Sequence, residues 1–260
     1  SMVYSMRGRN VLVIGASSGI GLAFANTARS DQANVVGVAR REKLLWDQYF
    51  YPITADVTES ESMEKMAAEA ADHFDGPIDL MLYSVGLPGT MEMNDIELDT
   101  MGFWQEMYAV NTVGANLATA AVLPYMNPDG MITYLSSRSV PEALPMIGPY
   151  TASKAALDQS IKTWRREHPE RRFCRVVLSW TAPTDAAEHM GPHLKKAFGM
   201  WKHIGTPGGT IDTQELAEAL WGQLSVALSH TQMDFTEIQI DTRFDGKSFD
   251  WWDMMEELLP

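Results

Sequence analysis

The apolar run Asn10-Val11-Leu12-Val13-Ile14 leads directly into Gly15-Ala16-Ser17-Ser18-Gly19-Ile20-Gly21, and that junction constrains the fold more than any other part of the chain. A short run rich in β-branched residues reads as a strand buried on both faces of a parallel sheet. The stretch Leu22–Ala28 that follows reads as a helix. Strand, glycine-rich turn and helix together aim backbone N–H groups and a helix N-terminus at one point, which suits a pyrophosphate. Gly15 permits the turn, Gly19 permits close approach of a phosphate, and Gly21 lets the helix pack on the strand. The spacing is G-x-x-x-G-x-G.

The same alternation continues downstream. Candidate strands lie at Val11–Ile14, Asn34–Ala39, Tyr51–Ala55, Leu80–Ser84, Met131–Ser136, Phe173–Trp180 and Phe235–Asp241. Helical stretches lie between them, notably at Ser60–His73, Phe103–Leu123, Pro149–His168 and Thr213–Ser229. Alternating strands and helices predict a doubly wound parallel sheet covered on both faces. With 260 residues and 45% hydrophobic content, the chain can bury a full core, and residues 1–260 read as one α/β domain. No apolar stretch reaches the roughly 20 residues that a membrane-spanning helix needs, and no signal-peptide pattern opens the chain.

A second motif, Tyr150-Thr151-Ala152-Ser153-Lys154, sits in the third of those helical stretches. Residues four apart share a helix face. An ammonium beside a phenol favours the phenolate, so Lys154 is expected to lower the Tyr150 pKa and make the phenol a usable acid or base near neutral pH.

Together these motifs resemble the short-chain dehydrogenase/reductase family, and the resemblance extends over most of the chain. It implies a Rossmann-like sheet of seven strands and a hydride transfer between a nicotinamide cofactor and a carbonyl or alcohol. Ser137, thirteen residues before Tyr150, matches the family's carbonyl-polarising Ser. Asn111, in Asn111-Thr112-Val113-Gly114, matches the Asn that completes the tetrad and would hold a water linking Lys154 to solvent. Tyr150 would exchange the proton, and Lys154 would also bond the nicotinamide ribose.

The implied cofactor contacts are Gly15, Ser17, Ser18, Gly19, Ile20 and Gly21 in the glycine motif, Asp56 and Val57 at the adenine, and Ser84, Val85 and Gly86 after the fourth strand. Tyr150, Lys154, Pro183 and Thr184 would complete the set. Ala39 stands where NAD-preferring members carry an acid, and Arg40 follows it, so a 2′-phosphate is unopposed and can be clamped. NADP(H) is therefore expected over NAD(H). The sequence departs from the family at Ile14 for Thr, at Tyr83-Ser84-Val85-Gly86 for Asn-Asn-Ala-Gly, and at Thr181-Ala182 for Pro-Gly.

Residues 184–210 correspond to the family's substrate lid. Met190, Leu194, Phe198, Met200, Trp201 and Ile204 predict a hydrophobic ketone or secondary alcohol as substrate. A reductase of carrier-protein-linked 3-oxoacyl groups and a non-catalytic cofactor-binding regulator are the alternatives. His193 and His203 lack a supporting ligand pattern, so no metal site is expected.

Net charge is −14, from 20 basic and 34 acidic residues. Such a field repels nucleic acid and anionic membranes. Lys162, Arg165, Arg166, Arg171, Arg172 and Arg175 form a local basic cluster, read as a solvated helix end, with docking of an anionic partner as the alternative. The single Cys174 excludes an intrachain disulfide and reads as a small buried hydrophobe. A cytoplasmic homo-oligomer, a dimer or tetramer by resemblance, is the expectation.

Overall fold

The computed structural model describes residues 4–42, 49–95, 100–182, 193–205 and 209–243. Its strands are β1 (Asn10–Ile14), β2 (Asn34–Ala39), β3 (Tyr51–Thr54), β4 (Ile78–Tyr83), β5 (Met126–Ser137), β6 (Arg172–Leu178), β7 (Thr181–Ala182), β8 (Ile211–Asp212) and β9 (Glu237–Ile240). The α-helices are α1 (Gly19–Ser30), α2 (Ser60–Phe74), α3 (Thr100–Tyr108), α4 (Gly114–Val122), α5 (Ser139–Glu142), α6 (Gly148–Glu167), α7 (Leu194–His203) and α8 (Thr213–Ser229). Seven strands form one parallel sheet in the order β3-β2-β1-β4-β5-β6-β9, and β7 pairs separately with β8.

Burial on both faces follows from strand alternation. Val11 and Val13 of β1 point into one core layer with Phe24 of α1 and Leu220, Trp221 and Leu224 of α8. Leu12 and Ile14 point into the other, with Met63 and Met66 of α2, Ala115 and Ala118 of α4, and Leu157 and Ile161 of α6. A third, smaller cluster joins Leu144, Met146 and Ile147 to Leu194, Ala197, Phe198 and Trp201. The last four are spaced i, i+3, i+4, i+7, so α7 lays one apolar stripe on the domain. Trp201 also donates its indole N–H to the Pro145 carbonyl at 2.7 Å.

Several expected boundaries move. β4 starts at Ile78 because the polar Asp79 is accommodated inside it, accepting the Asn10 N–H at 2.8 Å and the Asn127 amide at 3.1 Å. β6 stops at Leu178, before Trp180. The expected helix Phe103–Leu123 is three segments, α3, a π-helical turn at Ala109–Val113, and α4. The basic cluster is largely structural rather than a solvated helix end. Arg172 is buried and donates to the carbonyls of Ala227, Met233 and Asp129. Arg165 and Arg171 likewise bond backbone carbonyls, and Arg175 pairs with Asp158 and Glu237. Among the described residues, no helix is long and apolar enough to cross a membrane.

Candidate active site

A cleft of about 970 Å³ opens at the carboxyl ends of β1, β4, β5 and β6. Strand order reverses direction between β1 and β4, which is where open α/β sheets hold their ligands. One end of the cleft is the glycine turn. Gly15 and Gly19 have φ of +92° and +57°, the left-handed region that suits glycine. The N–H groups of Gly15 and Ala16 donate to the Val38 carbonyl at 2.8 and 3.0 Å, anchoring the turn on β2. A Cβ on Gly21 would lie 1.9 Å from the Gly15 oxygen. The turn therefore closes on α1 only with glycine there. Ser18, the residue before α1, makes no side-chain capping bond. The N-terminus of α1 is thus left to face the cleft, with the donors and the dipole that hold a phosphate. Ser17, Ser18, Gly19 and Ile20 all line it.

Ser84, Val85 and Gly86 form the facing wall. The Ser84 N–H donates to the Ile14 carbonyl at 2.8 Å, fastening the loop after β4 to β1. Arg40, Asp56 and Val57 line the same end. Asp56 accepts from the Thr58 hydroxyl at 2.7 Å and the Thr58 N–H at 2.9 Å. Those bonds hold its carboxyl below the usual range, with the positive charge of Arg40 adding to the effect. A cradle that a Cβ would fill, an uncapped helix end and a polar rim fit a dinucleotide cofactor. Pro183 and Thr184 lie outside the described residues, as do Met190, residues 206–208 and the rest of the expected lid up to 192.

Ser137, Tyr150 and Lys154 meet at the other end of the cleft. β5 ends at Ser137, and α6 returns over the sheet to present Tyr150 and Lys154. The Ser137 oxygen lies 2.6 Å from the Ser139 hydroxyl and accepts the Ser139 N–H at 3.1 Å. Lys154 is buried, donates to the Leu135 carbonyl at 3.1 Å, and sits 6.0 Å from the centroid of the Tyr150 ring.

The electrostatics correct the expectation that Lys154 lowers the Tyr150 pKa. Tyr150 keeps some solvent contact along the cleft, yet protein surrounds its phenol closely enough that burial pushes its pKa up to about 12. A hydrogen bond with Ser137 pulls it down and the charge of Asp158 pushes it up. Burial lowers Lys154 to about 8, against the upward pull of Asp158. Desolvation disfavours whichever form is charged, so it moves the two pKa values apart, the phenol upward and the ammonium downward.

Asn111 sits in the π-helical turn, fully buried. Its side-chain oxygen accepts the Leu87 N–H at 2.7 Å, and its amide donates to the Leu87 carbonyl at 3.1 Å and the Ser153 hydroxyl at 3.0 Å. The side chain braces the loop after β4 against α6. Sequence reasoning missed Ser139 and Asp158. The second was signalled by its place four residues after Lys154.

The cleft wall around Tyr150 is mixed in character. Leu87, Val110, Ile147 and Trp180 line it, but so do Glu106, Arg138 and Glu142. Arg138 pairs with Glu142 at 2.9 Å and with Asp241 at 3.5 Å.

A family model described as short chain dehydrogenase matches residues 9–194. A short chain dehydrogenase of Pseudocercospora fijiensis is 29% identical over 165 residues, covering 59% of this chain and 53% of the relative. An 11-beta-hydroxysteroid dehydrogenase A of Sesamum indicum is 31% identical over 171 residues, covering 62% and 48%. The chain thus matches about half the length of these two relatives. Among solved structures, a ligand-free aldohexose dehydrogenase of Thermoplasma acidophilum aligns with a TM-score of 0.75 at 21% identity, covering 91% of this chain and 93% of that one. An alcohol dehydrogenase of Thermococcus sibiricus, complexed with 5-hydroxy-NADP, aligns with a TM-score of 0.71 at 21% identity, covering 90% and 96%. At this identity the structural likeness establishes the fold.

Proposed function

Because the chain belongs to the short-chain dehydrogenase/reductase family, we propose that it is an NADP(H)-dependent oxidoreductase interconverting a ketone and a secondary alcohol, with Tyr150 as the proton-exchanging residue. The observation that carries this reading is the convergence of Ser137, Tyr150 and Lys154 on one cleft whose far end is the Gly15–Gly21 cradle. NADPH, when bound, supplies a hydride from its nicotinamide C4. Ser137 donates a hydrogen bond to the substrate carbonyl and stabilises the charge developing on its oxygen. Tyr150, held protonated by burial at neutral pH, delivers the proton to that oxygen. The ammonium of Lys154 then restores the proton from one helical turn away. Asn111 keeps the Leu87 loop and α6 in register, which fixes the distance between the cradle and the proton donor.

The NADP(H) preference rests on Arg40 at the cleft wall and on Ala39 in place of an acid. The apolar walls at Leu87, Val110, Ile147 and Trp180 support a hydrophobic substrate body, and the charged pair Arg138–Glu142 at the rim supports a polar group at its far end. The carrier-protein alternative loses its main support, because most of the arginines that suggested it are engaged within the fold. Residues 184–210 as a lid, a cytoplasmic setting and self-association belong to the same proposal.

The test is a titration of the purified protein with NADPH and with NADH, read by Trp quenching, followed by a carbonyl screen. Wild type is expected to bind NADPH more tightly, and Arg40→Asp to move the preference toward NADH. Unchanged selectivity would remove Arg40 from the assignment. Tyr150→Phe is expected to cut turnover by about 10²–10⁴ with cofactor binding retained, and full activity in that variant would overturn the mechanism.

A further inference from the structure

One turn beyond Lys154, α6 carries a carboxylate that takes no part in the proton transfer itself. Tyr150, Lys154 and Asp158 are spaced i, i+4, i+8 and share a helix face. Asp158 is only 7% exposed. One of its oxygens accepts the Ser136 hydroxyl at 2.9 Å, and the other meets Arg175 at 2.7 Å. Ser136 immediately precedes Ser137 on β5, and the Leu135 carbonyl before it accepts from Lys154. The carboxylate is therefore locked against the same strand end that carries the carbonyl-polarising serine.

We propose that Asp158 is a positioning residue whose fixed negative charge keeps the Tyr150–Lys154 pair proton-loaded and extends to higher pH the range over which the pair can give up a proton. The proposal rests on reading Tyr150 as the proton donor. In reduction a bound NADPH would supply the hydride to the carbonyl carbon and leave as NADP⁺, and the carbonyl oxygen would take the Tyr150 proton to give the alcohol. The phenolate regains its proton from the Lys154 ammonium, which is reprotonated by water. Each transfer needs the loaded form, phenol beside ammonium. A nearby negative charge opposes loss of a proton from either group, and Asp158 acts upward on both.

The surrounding groups set the size of the effect. Arg175 of β6 screens Asp158 directly, and Glu237 of β9 holds the other side of Arg175 at 2.7 Å. Lys162, one turn further along α6, is exposed. Glu106 and Arg138 face the cleft rather than the buried side of the pair.

The first readout is the Lys154 titration itself. In protein carrying ¹³C-labelled lysine side chains, the Lys154 resonance is assigned by its loss in Lys154→Arg. Asp158→Asn, which keeps the shape and an acceptor for Ser136, is expected to lower the Lys154 midpoint by about one pH unit, the lower end of what a neighbouring opposite charge does. Arg175→Gln is expected to raise it, because Asp158 then acts unscreened. The second readout is kcat/KM for carbonyl reduction against pH, whose alkaline limb should move down by the same amount in Asp158→Asn. A residue with a merely structural role would lower the rate at all pH values and leave both midpoints in place. An unmoved Lys154 resonance in either folded variant overturns the proposal. A shifted resonance in a protein that reduces no carbonyl would leave the electrostatic coupling standing and defeat the proposed function instead.

Discussion

Ser137 has two oxygen lone pairs and one hydrogen to place. The Ser139 N–H fills one lone pair, and the Ser139 hydroxyl, when it donates, fills the other. The Ser137 hydrogen then has only an outward acceptor, either Tyr150 or a substrate carbonyl. Ser139→Ala removes the second donor and lets the Ser137 hydroxyl rotate. We expect kcat to fall about tenfold, the equivalent of one ordinary hydrogen bond, with the melting temperature little changed and Ser139→Thr restoring the rate. Steady-state kinetics on the three proteins check this, and an unaltered kcat in Ser139→Ala would remove the residue from the site. At this scale the sequence reveals positions better than energies. The pairing of Tyr150 and Lys154 is legible because helix periodicity fixes which side chains share a face, whereas Ser137 is legible only through the family resemblance. The direction of the Tyr150 shift is not legible, because it depends on how much protein crowds the phenol, and no local pattern encodes that.

The π-helical turn at Ala109–Val113 is tied to one of the departures of the sequence from the family. Tyr83, where relatives of this family carry Asn, is fully buried and donates its hydroxyl to the Val110 carbonyl at 2.7 Å. Gly114 makes room for it, since a Cβ there would lie 2.7 Å from the Tyr83 oxygen and 3.0 Å from Val57. Tyr83 therefore holds the turn from which Asn111 reaches Leu87. Gly114→Ala should destabilise the protein by about 1–3 kcal/mol, as overpacking does. Tyr83→Phe should cost a similar amount by stranding the Val110 carbonyl. The double variant should cost less than the sum, because removing the hydroxyl relieves the clash. Urea unfolding of the four proteins measures the cycle, and strict additivity would mean that the two residues are not coupled. The unbroken helical stretch Phe103–Leu123 conceals this turn, because a single inserted residue barely disturbs helical periodicity. The β7–β8 pair is hidden for a different reason, being two residues long in each strand. Strands β1, β2 and β4 are legible because burial on both faces makes them nearly continuous apolar runs, whereas the edge strands β3 and β9 are largely exposed.

Across the whole molecule, the buried Lys154 is a cost to stability that depends on pH in a calculable way. Lys154 is buried with a folded pKa of about 8, below its usual 10.5. Between those values the unfolded chain binds more protons than the folded one, so stability rises with pH there. The gain from pH 7 to pH 9 is about 1 kcal/mol. Other buried groups reverse the trend above that window. Burial raises Cys174 to about 12, and Tyr83, Tyr134 and Tyr150 are raised as well. Their unfolded forms ionise from about pH 9 upward, where the folded state holds the extra protons and stability falls. The cofactor-free protein should therefore be most stable near pH 9, well above its isoelectric point of about 4.8. Lys154→Met should be more stable than wild type at pH 7, since it buries no charge, and should lose the rise between pH 7 and pH 9. Urea unfolding of both proteins at the two pH values decides the matter. An equal rise in Lys154→Met would place its origin elsewhere, whereas a flat profile in the variant alone would identify the buried ammonium as the group that the fold carries at its own expense.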